Sequence, residues 1–418
     1  MLLTSDVGFK MAITLKEHQS KTLDINLDDI PFEGQPERDK PPKLLGTTWD
    51  GESLTASYYV GTAWLKDGEP LLVNPKVGGL DLPRMFGRAL GVASKRESDY
   101  FSKCYGIESD QKAIEGGELA KDFLLLLVMH FISLMKNLTK SGLRSGYITT
   151  EENIQSRIKG RVLVPRNIVR NDLNMRSDRI YCSYQEYTKD IPENRLLKKA
   201  LLLSESILNR MSSFTQLNVD IAKLKTLFSE VSDTVDEHTV RGTKSSKLFK
   251  GYNETLKIAR IILREEANNT GDSGTVIPPF WIDMSGLFEL YVYSLLDEAY
   301  SGQILFQVPG SHKTRCDYVH KGLNLVMDAK YKFKYSPNVE GNPYGLMDDI
   351  REISGYARDT RILAHMNLTV PLESFVPECL IIYPEDDGAE SLVDIAGKWH
   401  EVNSFVNFYS VGVKLPSR

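Results

Sequence analysis

Cysteine is scarce in this chain of 418 residues: Cys104, Cys182, Cys316 and Cys379 stand far apart, and no CxxC pair occurs. That spacing argues against a disulfide framework and a zinc knuckle, and a reducing cytoplasm is the expected location. Long apolar runs are missing too. The most apolar stretch, FLLLLVMHFISLM at 123–135, is shorter than the roughly 20 residues a bilayer demands, contains His130, and is flanked by Lys121, Asp122 and Lys136. It reads as a buried helix with His130 as a core histidine, because Leu126 and Leu134 offer no second metal ligand one turn away. Residues 1–20 hold no continuous apolar core of the signal-peptide kind, so neither secretion nor a membrane partner is expected. A GxxxxGK[ST] loop is also missing. The stretch DIAGKWH at 394–400 lacks the first glycine and the Ser or Thr, which leaves the chain without a nucleotide site of that type.

An excess of positive charge is absent as well: Lys and Arg number 51 against 56 Asp and Glu, a net charge of −5. Contact with nucleic acid must then come from a local cluster or from a partner. One such cluster exists at 157–179, where Arg157, Lys159, Arg161, Arg166, Arg170, Arg176 and Arg179 face only Asp172 and Asp178. A solvated basic face and a phosphate-tracking surface both fit that composition.

What is present points to a mixed α/β (α+β) chain of more than one domain. Residues 55–77 hold two β-rich runs around Lys66-Asp67-Gly68-Glu69, a hairpin signal. Helical periodicity covers 112–139, 195–211 and 252–266, the second with Leu196, Leu197, Ala200 and Leu201 on one face. The stretch ANNTGDSGTVIPPF at 267–280 breaks all periodicity. A β-rich and helical amino-terminal domain over 1–150, a basic and helical connection over 151–270, and an α/β domain with a mixed sheet over 271–418 are expected. In the last of these a helix over about 284–299 precedes a strand-like ILFQVPG at 304–310, a pair of strands on either side of Lys321-Gly322, and a strand-like CLIIYP at 379–384.

The sequence RCDYVHKGLNLVMDAKYK at 315–332 carries the chemistry. Lys321-Gly322 read as a two-residue turn sets His320 opposite Leu323 and Asp317 opposite Val326. Side chains alternate along a strand, so Val326, Asp328 and Lys330 share a face with Asp317. Two carboxylates on one face repel unless a cation joins them, and an oxygen-ligated Mg²⁺ with Lys330 beside it is the arrangement that hydrolyses phosphodiesters. An ordinary Asp328–Lys330 ion pair at a strand end fits the same residues. Glu289, between Leu287, Phe288, Leu290 and Val292, is either a third carboxylate of this site or a glutamate on the polar face of its helix.

The order of helix with Glu289, strand with Asp317 and strand with Asp328-Ala329-Lys330 resembles the PD-(D/E)xK nuclease superfamily. With YYVGTAWLKDGEPLLVNPKVG at 58–78, IKGRVLVPRNI at 158–168, YQEYTKDIPENRLLKKAL at 184–201 and DMSGLFELYV at 283–292, the chain resembles the McrC family, the nuclease subunits of McrBC modification-dependent restriction systems. The resemblance runs from about 55 to 384. It implies an endonuclease fold at the carboxy terminus, Asp317, Asp328 and Glu289 as metal ligands, and Lys330 as the catalytic lysine. It departs at Cys316, where the superfamily has proline, and at Glu352 of DDIREISGYA, where glutamine is usual. Glu352 adds a metal contact, or the site meets the DNA backbone differently with Tyr356 as its neighbour.

The same resemblance implies partners: an McrB-like AAA+ GTPase hexamer that binds GTP, and double-stranded methylated DNA. It assigns the amino-terminal β-rich region to the ring's pore, with the hairpin at 55–77 and Arg84, Arg88, Lys95 and Arg96 as candidate contacts. Arg161 and Arg166 are further candidates for partner or DNA. An acidic chain suits a nuclease delivered to DNA by another protein. KYKFKY at 330–335 fits a backbone-tracking strand or a lysine-guarded edge. Two other functions remain in view: an activator of the GTPase that does not cut, and a free-standing defence or repair nuclease.

Overall fold

The structure, a computed structural model, describes residues 12–23, 27, 42–65, 68–96, 98–108, 110–140, 142–209, 215–234, 250–268, 276–332, 343–366, 375–389, 399–402 and 405–418. The chain forms two compact units, Met1–Leu126 with Gly274–Arg418, and Leu127–Ser273. Both are mixtures of helix and strand. Among the described residues no helix is long and apolar enough to cross a membrane.

The first unit opens with β1 (Ile13–Lys16), β2 (Ser20–Thr22), β3 (Thr48–Trp49), β4 (Ser53–Thr55), β5 (Tyr59–Trp64) and β6 (Pro70–Asn74). The expected hairpin forms, with Ala63 of β5 opposite Leu71 of β6 and Trp64 opposite Pro70. Lys66 and Asp67 of its turn lie outside the described residues. Leu71 and Val73 alternate into a core with Leu15, Leu54 and Tyr59. Helices α1 (Leu82–Arg96) and α2 (Ser98–Phe101) and strands β7 (Tyr105–Ile107) and β8 (Ile114–Glu115) follow, and α3 (Gly117–Lys140) replaces the expected helix at 112–139 with a start five residues later.

The second unit holds an antiparallel sheet of β9 (Gly146–Gln155), β10 (Arg161–Val162) and β11 (Arg179–Thr188), with α4 (Val164–Arg170) between β10 and β11. Helices α5 (Pro192–Asn209), α6 (Thr215–Leu227) and α7 (Lys250–Asn268) complete it, α5 and α7 matching the periodicity at 195–211 and 252–266. His130 of α3 is buried, and burial pushes its pKa down to about 4, so the ring is neutral. At the tip of the β-sheet Asn171 is fully buried: its Nδ2 donates to Asn153 Oδ1 (2.9 Å), Asn167 Oδ1 (2.8 Å) and the Arg179 carbonyl (3.1 Å), and Asn153 returns a bond of 2.8 Å.

After this the chain returns to the first unit through β12 (Val276–Ile277) and β13 (Phe280–Asp283). Strand β13 enters the amino-terminal sheet between β5 and β7, giving the order β1-β6-β5-β13-β7. Trp281 stands opposite Gly61 on one side and Gly106 on the other. A Cβ at Gly61, whose φ is +148, would lie 2.0 Å from the Phe280 carbonyl oxygen, so only glycine admits β13 here.

Asp283 ends β13 and caps α8 (Met284–Ala299), accepting from Gly286 N at 3.0 Å. That helix leads into a six-stranded mixed sheet of β14 (Ile304–Pro309), β15 (Arg315–His320), β16 (Leu325–Ala329), β17 (Glu378–Ala389), β18 (His400–Glu401) and β19 (Phe408–Val413), ordered β14-β15-β16-β17-β19-β18. The first three strands are antiparallel; β16, β17 and β19 are parallel. Helices α9 (Pro343–Tyr356) and α10 (Thr360–Leu363) contribute Ile350, Ile353, Ile362 and Leu363 to a core with Val319, Val326 and Ile381. Tyr293 of α8 stacks on Phe306 at 4.8 Å and on Tyr318 at 6.4 Å.

Candidate active site

The turn between β15 and β16 differs from the expected one. His320 pairs with Leu325, not Leu323, and Val319 with Val326. The loop has four residues, closed by His320 Nδ1, which accepts from Gly322 N (3.1 Å) and Leu323 N (3.0 Å), and by Asn324 at φ +53. This register moves the pairing by two, an even step, so the facing of side chains survives while the partner changes. Continued by one residue, it sets Asp317 opposite Asp328 rather than opposite Val326. On the other flank Phe306 pairs with Tyr318 and Val308 with Cys316, which sets Gln307 opposite Asp317. Gln307, Asp317 and Asp328 therefore form one row across three strands.

Every member of that row is engaged. Asp317 Oδ2 accepts from Ala329 N at 2.9 Å, and Oδ1 accepts from Gln307 Nε2 at 3.0 Å. Asp328 is 2 % exposed, and its Oδ2 has the Lys330 ammonium at 2.8 Å as an ion pair but otherwise no hydrogen-bond partner. Burial raises the Asp328 carboxyl well above the usual range and the Asp317 charge adds to this, with Lys330 opposing. Lys330 Nζ also lies 2.8 Å from Glu352 Oε2, and Glu352 Oε1 accepts from Tyr356 OH at 2.8 Å. Burial pulls the Lys330 pKa down, but Asp328 and Glu352 outweigh it and hold the ammonium charged.

Glu289 is 2 % exposed, so it is not on a polar face of its helix. It reaches Asp317 through Gln307, whose Nε2 donates 2.7 Å to Glu289 Oε2. Tyr100 OH donates to the same oxygen at 2.5 Å, and Tyr318 OH donates to the Glu289 carbonyl at 2.6 Å. Gln307 carries φ +52, a left-handed backbone at a non-glycine residue. The sequence reading missed Gln307 and Tyr100; the departure from alternation at Gln307 has no signature in ILFQVPG.

Arg84 and Arg88 lie on α1 and line a groove of about 350 Å³ with Tyr291, Lys414 and Ser417; Arg88 pairs with Glu298 at 3.2 Å. Arg161 and Arg166 are exposed in the other unit, Arg166 in an ion pair with Glu151 and 5.9 Å from the Tyr181 ring. The side chains of Lys95 and Arg96, and Phe333, Lys334 and Tyr335 of KYKFKY, lie outside the described residues.

The donor set bears on the metal. Asp317 and Asp328 supply only carboxylate oxygens, which suit a hard divalent cation, and Mg²⁺ is commonly held by one or two carboxylates with water and phosphate oxygens completing its shell. Asp328 Oδ2, paired with the Lys330 ammonium at 2.8 Å and otherwise without a hydrogen bond, is the buried oxygen that such an ion would meet. Among the described residues no three His, Cys, Asp or Glu side chains converge on one point.

Fold and site together define an α+β protein with a buried acidic pair and an adjacent lysine at the centre of a mixed sheet. Residues 54–346, more than half of the chain, match the family model of the McrBC 5-methylcytosine restriction system component. The chain belongs to that family. It is similar at 16 % identity to a chain in a refined half-complex from a tetradecameric assembly of Thermococcus gammatolerans McrB AAA+ hexamers with bound McrC, with 97 % of this chain and 94 % of that one covered and a TM-score of 0.42. A chain of the Thermococcus gammatolerans McrBC complex is 14 % identical over 70 % of this chain and 88 % of its own length, with a TM-score of 0.31. No curated protein matches.

Proposed function

We propose that the chain is the DNA-cleaving subunit of a McrBC-like restriction complex, hydrolysing phosphodiesters of methylcytosine-containing DNA with Mg²⁺, and that it stimulates a GTP-binding AAA+ partner. The observation that carries the cleavage reading is the buried row of Asp317 and Asp328 with Lys330 held charged beside them. Asp317 and Asp328 hold the cation, which when bound polarises a phosphate oxygen and favours ionisation of water. Lys330, with Asp328 and Glu352 on either side of it, is a donor and not a base: it orients the nucleophile and offsets the charge that builds on the phosphate. Glu289 acts through Gln307, fixing the angle at which Asp317 presents its oxygens.

Partner docking is better served by the second unit than by the hairpin at 55–77. That hairpin is built into a five-stranded sheet, with Val60, Leu71 and Val73 fully buried. Around α4, Met175 is 94 % exposed and Leu173 74 %, with Ile158, Val164 and Val169 also exposed among the arginines of 157–179. Apolar side chains in water beside a basic surface mark an interaction face.

The test is cleavage of cytosine-methylated plasmid by the chain with its AAA+ partner, GTP and Mg²⁺, beside Asp328→Ala and Lys330→Ala. Loss of cutting in both variants with GTPase stimulation retained supports the proposal. If wild type stimulates GTP hydrolysis and never cuts, the chain is an activator. Cutting without the partner would make it a free-standing nuclease.

A further inference from the structure

Lys330 is the last residue whose position the sheet fixes: its N–H donates to the Ile382 carbonyl at 2.9 Å, continuing the β16–β17 ladder. The next residue, Tyr331, is gripped from the amino-terminal sheet. Lys76, two residues beyond β6, places Nζ 2.7 Å from the Tyr331 carbonyl oxygen and 3.7 Å from the centre of its ring. Glu17, in the turn after β1, accepts from Lys76 N at 2.9 Å and from Tyr331 OH at 3.4 Å, and its own N–H donates to the Asn74 carbonyl at 3.0 Å.

Both charges are buried or nearly so. Glu17 is 4 % exposed with Oε1 lacking any hydrogen bond; burial, opposed by Lys76, pushes its pKa up to about 7, and burial brings that of Lys76 down to about 8. Sequestered charges of this kind are costly unless they are paired and hydrogen-bonded in a fixed geometry, as these are. What they hold is the chain next to Lys330. On the far side Lys332 Nζ meets both oxygens of Asp349 at 2.9 Å, and Phe288, the neighbour of Glu289, lies 5.5 Å from the Tyr331 ring.

We propose that Lys76 and Glu17 are positioning residues for the lysine of the cleavage site: by clamping the carbonyl and ring of Tyr331 to the amino-terminal sheet, they set where Lys330 leaves β16 and so where its ammonium stands. The proposal rests on the nuclease reading. It adds that the β1–β6 edge, far from Asp317 in sequence, tunes the rate of cutting.

The test compares wild type, Lys76→Met, Lys76→Arg and Glu17→Gln in complex with the AAA+ partner, GTP and Mg²⁺. A shift of even 1 Å in a catalytic group is worth up to about a hundredfold, so Lys76→Met is expected to lower kcat for cleavage about tenfold or more. KM for DNA and stimulation of GTP hydrolysis stay near wild type, and Lys76→Arg, which restores a cation over the ring, recovers part of the rate. Unchanged kcat in folded Lys76→Met, or a fall that merely tracks lost GTPase stimulation, overturns the clamp. Should Lys76→Met not fold, Glu17→Gln decides: lowered kcat at constant KM supports the clamp, and wild-type kcat removes it. Absence of cutting by wild type itself defeats the nuclease reading instead, a separate outcome.

Discussion

The Gln307 side chain donates to Asp317 Oδ1 at 3.0 Å from a backbone twisted to φ +52, and the same amide nitrogen donates to Glu289. A left-handed residue in a strand is destabilising by about 1–2 kcal/mol relative to glycine, so the amide is held there against the preference of the backbone.

Gln307→Gly and Gln307→Ala separate the two effects. Both remove the amide and are expected to slow cleavage by about tenfold or more through a loosened Asp317. In chemical denaturation Gln307→Gly is expected to be the more stable by about 1 kcal/mol, since only alanine keeps the backbone penalty. Equal stabilities would show that the twist is not strained.

Asp328 predicts a metal and pH signature that does not depend on activity. Its carboxyl is raised, so the stability it favours belongs to the protonated form: present below the ordinary carboxylate range of about 3.9, and lost as pH climbs through the raised value. In chelator, thermal stability is expected to fall with rising pH more in wild type than in Asp328→Asn. The variant removes one buried charge that repels Asp317 and leaves Glu352 beside Lys330, and is expected to be the more stable above neutrality by on the order of 1–2 kcal/mol. Adding Mg²⁺ should raise the melting temperature of wild type and not of the variant. A variant that responds to Mg²⁺ as wild type does would move the ion elsewhere.

Asn171 supports the tip of the second unit with four side-chain bonds in a fully buried position. Asn171→Ala removes both amide bonds to Asn153 and one of those to Asn167, and is expected to be destabilising by about 2 kcal/mol, read as faster hydrogen exchange in β9, α4 and β11.

Leu173 and Met175 make few demands on the fold because they point into water. Leu173→Asp with Met175→Asp is expected to leave the melting temperature within about 1 °C and to reduce stimulation of the partner's GTP hydrolysis severalfold. Full stimulation by the double variant would exclude this face from docking.

Local signals gave the elements that local physics determines. The 284–299 helix begins where α8 begins because Asp283 caps its amino terminus and the apolar residues have helical spacing. The β5–β6 hairpin followed from its turn and alternation. The register of β15–β16 did not, because the His320 ring closes a longer loop than Lys321-Gly322 suggests, and only the evenness of the shift kept Asp317 and Asp328 on one face. Glu289 was ambiguous in a helix apolar all round. Gln307 sits in the neighbouring strand, but nothing in ILFQVPG marks its twisted backbone; Tyr100 and the Lys76–Tyr331 contact are brought to the site by tertiary packing across distant segments, and no window of sequence contains them. Nor does any window reveal that Trp281 fits between Gly61 and Gly106.

That last fit sets a clock on synthesis. Strand β5 emerges from the ribosome more than 200 residues before β13, the strand that fills its edge. At roughly 5–20 residues per second the nascent chain carries an open edge at Tyr59–Thr62 for about 10–45 s. Throughout that interval the pairing surface is available to any other extended segment, so the step most exposed to misassembly is over before the Asp317–Asp328 hairpin has been made.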